Sequence, residues 1–175
     1  MRWLAVCLLL WVGAAQAQPI TGLGMISPWS SARVTDDQTY TANTTLADVP
    51  GLTVNLQAGH TYGFTVDLSY TDTFAGNNGG IQLAMGGTVI ATNIIYDGWL
   101  IELNSVLGQG QAYTLGGVVA NGATNSSVGH ASIVGTITVD PAGAGTLTVQ
   151  AAQWSSNAIP TVVKQGSRLL VIDMP

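Results

Sequence analysis

The stretch that decides the fold is Leu46–Gly87, which reads LADVPGLTVNLQAGHTYGFTVDLSYTDTFAGNNGGIQLAMGG. Its central part, Tyr62–Tyr70, alternates aromatic or aliphatic residues with small or polar ones, which is the two-residue period of an extended strand. Shorter runs with the same period flank it, at Leu52–Leu56 and Ile81–Met85. Because a single strand cannot cover its own apolar face, the pattern predicts an antiparallel β-sandwich with this stretch at its centre.

Further strands are predicted along the chain at the short, turn-punctuated spacing of an all-β domain. A Pro-Gly pair predicts a turn at Asp48–Gly51, Gly86–Gly87 predicts a two-residue hairpin turn, and Pro141–Gly145 predicts a hairpin loop. The glycines of Gly108–Gly110 predict a break, and Asn121–Val128 a polar loop. The predicted strands are Tyr40–Leu46, Gly51–Gln57, His60–Thr71, Ile81–Met85, Thr88–Leu103 as one bent strand or two, Ala112–Ala120, His130–Asp140 with Gly135 as a bulge or close contact, Thr146–Gln153, and a last strand from Ser167. The unbroken apolar run of the last strand predicts burial on both faces or pairing deep within the sandwich. The predicted fold class is an all-β, two-sheet antiparallel jelly-roll sandwich.

The chain begins with a pattern typical of a secretory signal peptide. Residues 1–17 combine one basic residue, a short apolar run and Ala-Gln-Ala at 15–17, which predicts cleavage before Gln18. A membrane-spanning helix is disfavoured because the run is shorter than a bilayer requires, and lipidation at Cys7 is a weaker alternative. We expect an irregular arm over 18–37, a β-sandwich domain over 38–175, and a secreted, extracellular or virion-associated protein.

Charge is sparse and negative. After removal of residues 1–17, three basic residues stand against nine acidic ones, a net charge of −6. With no basic cluster to neutralise phosphates, nucleic acid and anionic membrane surfaces are not expected partners. A surface whose polarity comes from Thr, Ser, Asn and Gln favours stable contact with other proteins.

No reaction centre is identifiable, and we expect no enzyme activity and no cofactor. His60 and His130 stand alone, without the clustered ligands of a zinc site, and no serine lies in a nucleophile motif. Asp72 with Asn77 and Asn78 suggests calcium, but turn stabilisation explains the same residues. A paired-carboxylate glycosidase is unsupported, since the sequence does not show how far apart two carboxyls lie.

Polar loops and aromatic residues remain as candidates for contact with a partner. An exposed Trp or Tyr platform favours sugar binding, whereas alternation places most aromatic side chains in the core or at a subunit contact. The candidate contact residues are Asp72, Asn77, Asn78, Asn121, Asn125, Trp99 and Trp154.

The order of motifs over residues 38–173 resembles a jelly-roll module of tailed-phage and prophage structural proteins, such as tail fibres. The shared motifs are the TTLADVPGL entry at Thr44–Leu52, the L-x-AG-x-TY-x-F start at Leu56–Phe64, the aromatic strand at Tyr62–Tyr70, Gly-Gly-Ile at Gly79–Ile81, GGT leading to AT at Gly86–Thr92, and the later segments Ile133–Val139, Gly145–Gln150 and Gly166–Ser167. The layout is also similar to the C1q and tumour-necrosis-factor class, and that similarity implies a homotrimer. The secretory leader departs from most virion proteins.

These observations favour a non-enzymatic structural or attachment module of a phage-like particle: a tail-fibre, tip or decoration component. Its expected partners are copies of itself and other virion or cell-surface proteins or surface glycans. The alternative is a secreted bacterial surface adhesin or carbohydrate-binding module, supported by the leader and the aromatic residues. A secreted hydrolase on the same scaffold is the weakest hypothesis.

Overall fold

The structure is a computed structural model that describes residues 29–72, 79–102, 105–124, 128–156 and 158–174. These residues form strands and turns, and no helix among them is long and apolar enough to cross a membrane. The strands are β1 (Trp29–Arg33), β2 (Gln38–Tyr40), β3 (Ala47–Leu56), β4 (Thr61–Asp72), β5 (Gly79–Gly87), β6 (Ala91–Glu102), β7 (Ser105–Ala112), β8 (Val118–Thr124), β9 (Gly129–Val139), β10 (Gly145–Gln153), β11 (Thr161–Val163) and β12 (Arg168–Met174).

The strands form two antiparallel sheets, which confirms the predicted sandwich. The large sheet has the order β1-β12-β4-β9-β6-β7, with β11 joining β2 to β4, and the small sheet has the order β3-β10-β5-β8. From β3 to β11 the chain passes back and forth between the sheets, except at the β6–β7 hairpin, and β11 and β12 both belong to the large sheet. This repeated crossing is the jelly-roll arrangement.

The core lies between the sheets, and β4 is central to it. The inward side chains of β4 alternate as predicted and are all buried; they are Tyr62, Phe64, Val66, Leu68 and Tyr70. Buried side chains of β3 and β5 meet them from the opposite sheet; they are Leu52, Val54, Leu56, Ile81, Leu83 and Met85. The period-2 pattern therefore predicted both the strand and its buried face correctly.

The predicted turn at Asp48–Gly51 is wrong, because β3 runs through it. The pairing of β3 with β10 shifts register between Thr148 and Gln150, so the Pro-Gly pair lies in an irregularity within the strand. Proline is tolerated here because β3 is an edge strand. Gly51 has a φ of 85°, and a Cβ there would lie 2.7 Å from the Arg33 carbonyl oxygen. The first predicted strand, Tyr40–Leu46, is replaced by the shorter β2.

Two predicted hairpins are also wrong. Gly86–Gly87 ends β5 in the small sheet, and the next strand, β6, belongs to the large one. Pro141–Gly145 likewise connects β9 of the large sheet to β10 of the small one. The glycine-rich turns were located correctly, but they carry the chain between sheets.

The region 105–124 differs most from the prediction. β7 passes through Gly108–Gly110 without a break, and the strand predicted at Ala112–Ala120 is interrupted by a turn at residues 113–117. β8 then extends into the predicted polar loop, so Asn121 lies in a strand. Within the ambiguous stretch Thr88–Leu103, residues Ala91–Glu102 form one strand, β6.

The arm predicted to be irregular over 18–37 contains a strand where the structure describes it. β1 pairs along its whole length with β12, with Trp29 opposite Ile172 and Arg33 opposite Arg168. β12 therefore lies between β1 and β4 inside the large sheet, which agrees with the predicted deep pairing. Burial on both faces is not found, because Leu170 and Ile172 are only half-buried. Residues 1–28, with the leader and Cys7, lie outside the described part of the chain.

Candidate functional site

The outer face of the large sheet is a broad surface whose layout follows from strand register. Side chains opposite the core align in rows across the strands. One row holds Trp29, Ile172, Gly63, Thr136 and Ile95; the next holds Ser31, Leu170, Thr65, Val134, Asp97 and Gln111; the third holds Arg33, Arg168, Asp67, Ser132, Trp99 and Gln109. Two distinct surfaces occupy the two sides of this face.

The first surface is an apolar groove near β1, which we call the sheet groove. It has a volume of about 210 Å³ and is lined in part by Trp29, Val134, Leu170 and Ile172. Trp29 is 56% exposed and Val134 is 42% exposed. Gly63 contributes no side chain to this row, and a Cβ there would lie 3.2 Å from Ile172 Cγ2. The groove therefore exposes apolar side chains from β9, β12 and β1 to solvent.

The second surface is a polar cleft on the β6–β7 hairpin, which we call the hairpin cleft. It has a volume of about 550 Å³, and its lining residues are Asp97, Gly98, Trp99, Gln109, Gly110 and Gln111. Asp97 pairs with Gln111 across the hairpin, and Trp99 pairs with Gln109. Asp97 and both glutamines are exposed, while Trp99 is half-buried. Three outward side chains, one carboxylate and two amides, thus lie around one indole.

The hairpin cleft is supported from behind by β8. Gly98 and Gly110 alternate with the cleft side chains, and each faces Val119 on the inner side. A Cβ on Gly98 would lie 2.5 Å from Val119 Cγ2, and one on Gly110 would lie 2.9 Å from the Val119 carbonyl oxygen. Glycine at these two positions is what allows β8 to pack directly against the hairpin.

One cleft side chain is oriented by a neighbour. The exposed Tyr113 hydroxyl donates a hydrogen bond to Gln111 Oε1. With its oxygen engaged in this way, Gln111 keeps its amide N–H groups for another acceptor. Tyr113 also lines an adjoining depression of about 280 Å³ at the start of β6, together with Asn93 and Leu115.

The candidate contact residues from the sequence fall into separate places. Asp72 pairs with Thr161, whose hydroxyl donates to the Gly80 carbonyl, and the Trp154 backbone N–H donates to the same carbonyl at 3.2 Å. Asp72 and Trp154 therefore share one end of the sandwich. Asp72 is 1% exposed there, whereas Trp154 is 43% exposed.

The remaining candidates divide differently. Asn121 is exposed on β8 opposite Gln82, toward the same end of the sandwich. Trp99 lies apart from it, in the hairpin cleft. Asn77, Asn78 and Asn125 lie outside the described residues. Two of the three residues considered for a calcium site, Asn77 and Asn78, are therefore not described. Within the described ranges, no three His, Cys, Asp or Glu residues are grouped to hold a metal ion.

Buried polar groups cluster where β4 and β6 end. Asp72 and Glu102 are both buried here. Burial raises the pKa of the nearby Tyr70 hydroxyl, and the carboxylates of Glu102 and Asp72 raise it further. Tyr70 therefore stays protonated at physiological pH.

The two histidines have separate environments, as the sequence indicated. His60 Nδ1 lies 2.9 Å from Asp173 Oδ2, where β4 begins and β12 ends. His130 Nδ1 lies 3.2 Å from the Ser69 hydroxyl on the outer face. Each therefore has a local polar partner, and β4 and β9 keep them well apart in register.

Sequence reasoning missed Asp97, Gln109 and Gln111 as a set with Trp99. A signal was present: Asp97-Gly98-Trp99 and Gln109-Gly110-Gln111 each place a glycine between two outward side chains. Because Gly108–Gly110 was interpreted as a break, β7 was not predicted. The pairing of β6 with β7, which brings these side chains together, was therefore not predicted either.

The fold and its exposed outer face define a jelly-roll sandwich with two accessible surfaces on one sheet. No protein-family model matches the chain, and no curated protein matches it. Among solved structures, it is similar to Eiger TNF from S. frugiperda at 11% identity and a TM-score of 0.36, over 85% of this chain and 94% of that one. It is also similar to a chain in the structure of infectious bursal disease virus Gx strain, at 11% identity and a TM-score of 0.24, over 83% of this chain and 40% of the viral chain. For the VP2 subviral particle of the same virus, the identity is 11% and the TM-score 0.22, with coverage of 83% and 39%. The chain thus spans less than half the length of the viral proteins.

Proposed function

We propose that this protein is a structural or attachment module of a phage-like particle, exported with cleavage of residues 1–17, and that it assembles as a homotrimer. The observation that supports the proposed homotrimer is the sheet groove. Leu170, Ile172 and Val134 line an apolar groove on the outer face of the sheet, with exposed Trp29 beside them. Surfaces of this kind on an otherwise polar protein are commonly covered by another protein.

The occupant we propose is an identical chain. Two charged groups beside the groove in the third row neutralise each other, because Arg168 Nη2 lies 3.1 Å from Asp67 Oδ2. A second copy therefore meets a low-charge surface with little desolvation penalty. A closed ring of three copies buries the groove of each without leaving an open end.

Light scattering on the purified secreted protein tests the assembly. The parent is expected to show the mass of three chains. The Leu170→Lys variant, which places a charge in the groove, is expected to show the mass of one chain. Ile90→Lys is the matched control, because Ile90 is 61% exposed outside the groove and its replacement leaves the mass unchanged. A single-chain mass for the parent at micromolar concentration contradicts the trimer.

The particle role needs a separate test. Particles released from the producing bacterium after induction are purified on a density gradient and analysed by mass spectrometry. The protein is expected to co-sediment with the particles and to begin at Gln18. Its recovery only from the cell surface or the free culture medium contradicts the particle role and favours the adhesin.

A further inference from the structure

The hairpin cleft has the composition of a ligand site, and its chemistry limits what it accepts. Trp99 provides a large apolar surface with one N–H donor. Around it, Asp97 accepts hydrogen bonds, and Gln109 and Gln111 both donate and accept them. A matching ligand presents an apolar patch surrounded by groups that donate and accept hydrogen bonds, as hydroxyls do.

The charge of the cleft further limits the class of ligand that it accepts. The residues lining the cleft include one carboxylate and no Lys, Arg or His. Phosphorylated, sulfated or uronic ligands therefore meet a negative site on a negatively charged chain. The cleft volume of about 550 Å³ is within the usual range for small-molecule sites.

We propose that the hairpin cleft binds a neutral saccharide. Trp99 packs against the apolar face of a sugar ring, and Asp97, Gln109 and Gln111 hydrogen-bond to its hydroxyls. The inference goes beyond the proposed particle role and does not depend on it.

The way the cleft is built supports this assignment. Its four side chains project from paired positions of one hairpin, and β8 packs against the back of that hairpin at Gly98 and Gly110. The Tyr113 hydroxyl holds Gln111 in one orientation. A site on paired strands with a fixed side chain loses less entropy on binding than a site on a free loop.

Binding is measured on the purified secreted protein with galactose, glucose, mannose and N-acetylglucosamine, by saturation-transfer NMR and tryptophan fluorescence. At least one of these sugars is expected to bind saturably, with Kd of about 1 mM, a weak affinity by general standards. Glucuronic acid, the anionic comparison, is expected not to bind.

Three variants locate the site. Trp99→Ala is expected to weaken binding at least about tenfold, and Gln109→Ala with Gln111→Ala is expected to do the same while keeping the indole. Trp154→Ala is the matched control, because it removes an exposed tryptophan outside the cleft and leaves affinity unchanged. If Trp99→Ala does not fold, the double glutamine variant decides.

The proposal is overturned if none of the four sugars binds saturably at about 50 mM, far above a millimolar Kd. It is equally overturned if binding persists in the double glutamine variant, if Trp154→Ala abolishes it, or if glucuronic acid binds as well as the neutral sugars.

Discussion

Replacing Tyr96 by phenylalanine is expected to destabilise the fold by about 2 kcal/mol, whereas the same change at Tyr70 is expected to be neutral or to stabilise it by about 1 kcal/mol. Both side chains are fully buried, and both substitutions remove one hydroxyl from the core. The difference lies in what each hydroxyl contacts.

The Tyr96 hydroxyl joins the two sheets to the turn at residues 113–117. It lies 2.6 Å from the Gly117 carbonyl oxygen and 3.1 Å from that of Thr114, and it accepts a hydrogen bond from the Met85 backbone N–H at 3.4 Å. Phenylalanine leaves the Met85 N–H and the Gly117 carbonyl without this partner. A lost hydrogen bond costs about 0.5–1.5 kcal/mol, and a buried group left unsatisfied costs about 1–3 kcal/mol.

The Tyr70 hydroxyl, by contrast, has no hydrogen-bond partner among the residues that the structure describes. It therefore gives up its hydrogen bonds to water on folding without replacing them. Phenylalanine keeps the ring and removes that cost.

Urea unfolding followed by far-UV circular dichroism measures the difference, with protein concentration held constant because assembly adds to apparent stability. With a slope of about 1–3 kcal/mol per molar urea, a loss of 2 kcal/mol lowers the midpoint by about 1 M. Equal losses for the two variants, or a larger loss for Tyr70→Phe, refute the assignment of these hydroxyls.

Three further predictions concern the core, alkaline pH and processing. Phe64→Ala is expected to cost about 3–5 kcal/mol in the same urea experiment, because Phe64 is buried against the core, whereas Thr65→Ala on the outer face costs less than about 1 kcal/mol; similar losses contradict the assignment of faces. Burial, and then the charge of nearby Asp48, raises the pKa of Tyr40 to about 12 from 10.0, so the unfolded chain loses this proton first and stability falls between pH 10 and pH 12. Thermal melts across that range check this, and the fall should be smaller in Tyr40→Phe. Intact-mass analysis of exported protein is expected to show an N-terminus at Gln18, and a mass that still includes residues 1–17 or a lipid contradicts it.

The fold was predictable from sequence where one residue pattern decided the outcome. In β4, five large side chains at alternate positions require a covered face, and only a second sheet supplies one. No local feature of comparable strength competes with that requirement, so both the strand and its buried face were predicted correctly.

The errors arose where local signals depended on partners far along the chain. Pro50-Gly51 is a strong turn signal, yet pairing with β10 draws both residues into an irregular edge strand. Glycine in β7 suggested a break, whereas its role is to let β8 approach, since a Cβ on Gly110 would lie 2.9 Å from the Val119 carbonyl oxygen. Single-sequence patterns do not show which distant strand approaches a glycine.

The same reasoning explains why the candidate site was only partly predicted. Trp99 was selected because it is aromatic, and the residue type can be read directly from the sequence. Its neighbours Gln109 and Gln111 come from the adjacent strand, and they join it only through the β6–β7 register. Asp72 was chosen together with Asn77 and Asn78, but it continues the inward alternation of β4 and is buried.

The sheet groove and the hairpin cleft lie on different strands of one face and meet where Val134 pairs with Asp97, but Leu170 in the groove is remote from the cleft. Leu170 on β12 and Asp97 on β6 share a register row with two strands between them, a distance of about 14 Å at the usual strand spacing. If three chains associate through the groove and each cleft binds sugar, a trimer engages a sugar-coated surface through three sites, and avidity exceeds the affinity of one site by about 10²-fold or more. Leu170→Lys is therefore expected to keep the parent's affinity for soluble sugar while losing retention on beads that carry the same sugar densely. Loss of affinity for the soluble sugar as well shows that the two surfaces are not independent, because a charge placed in the groove then disturbs the cleft directly.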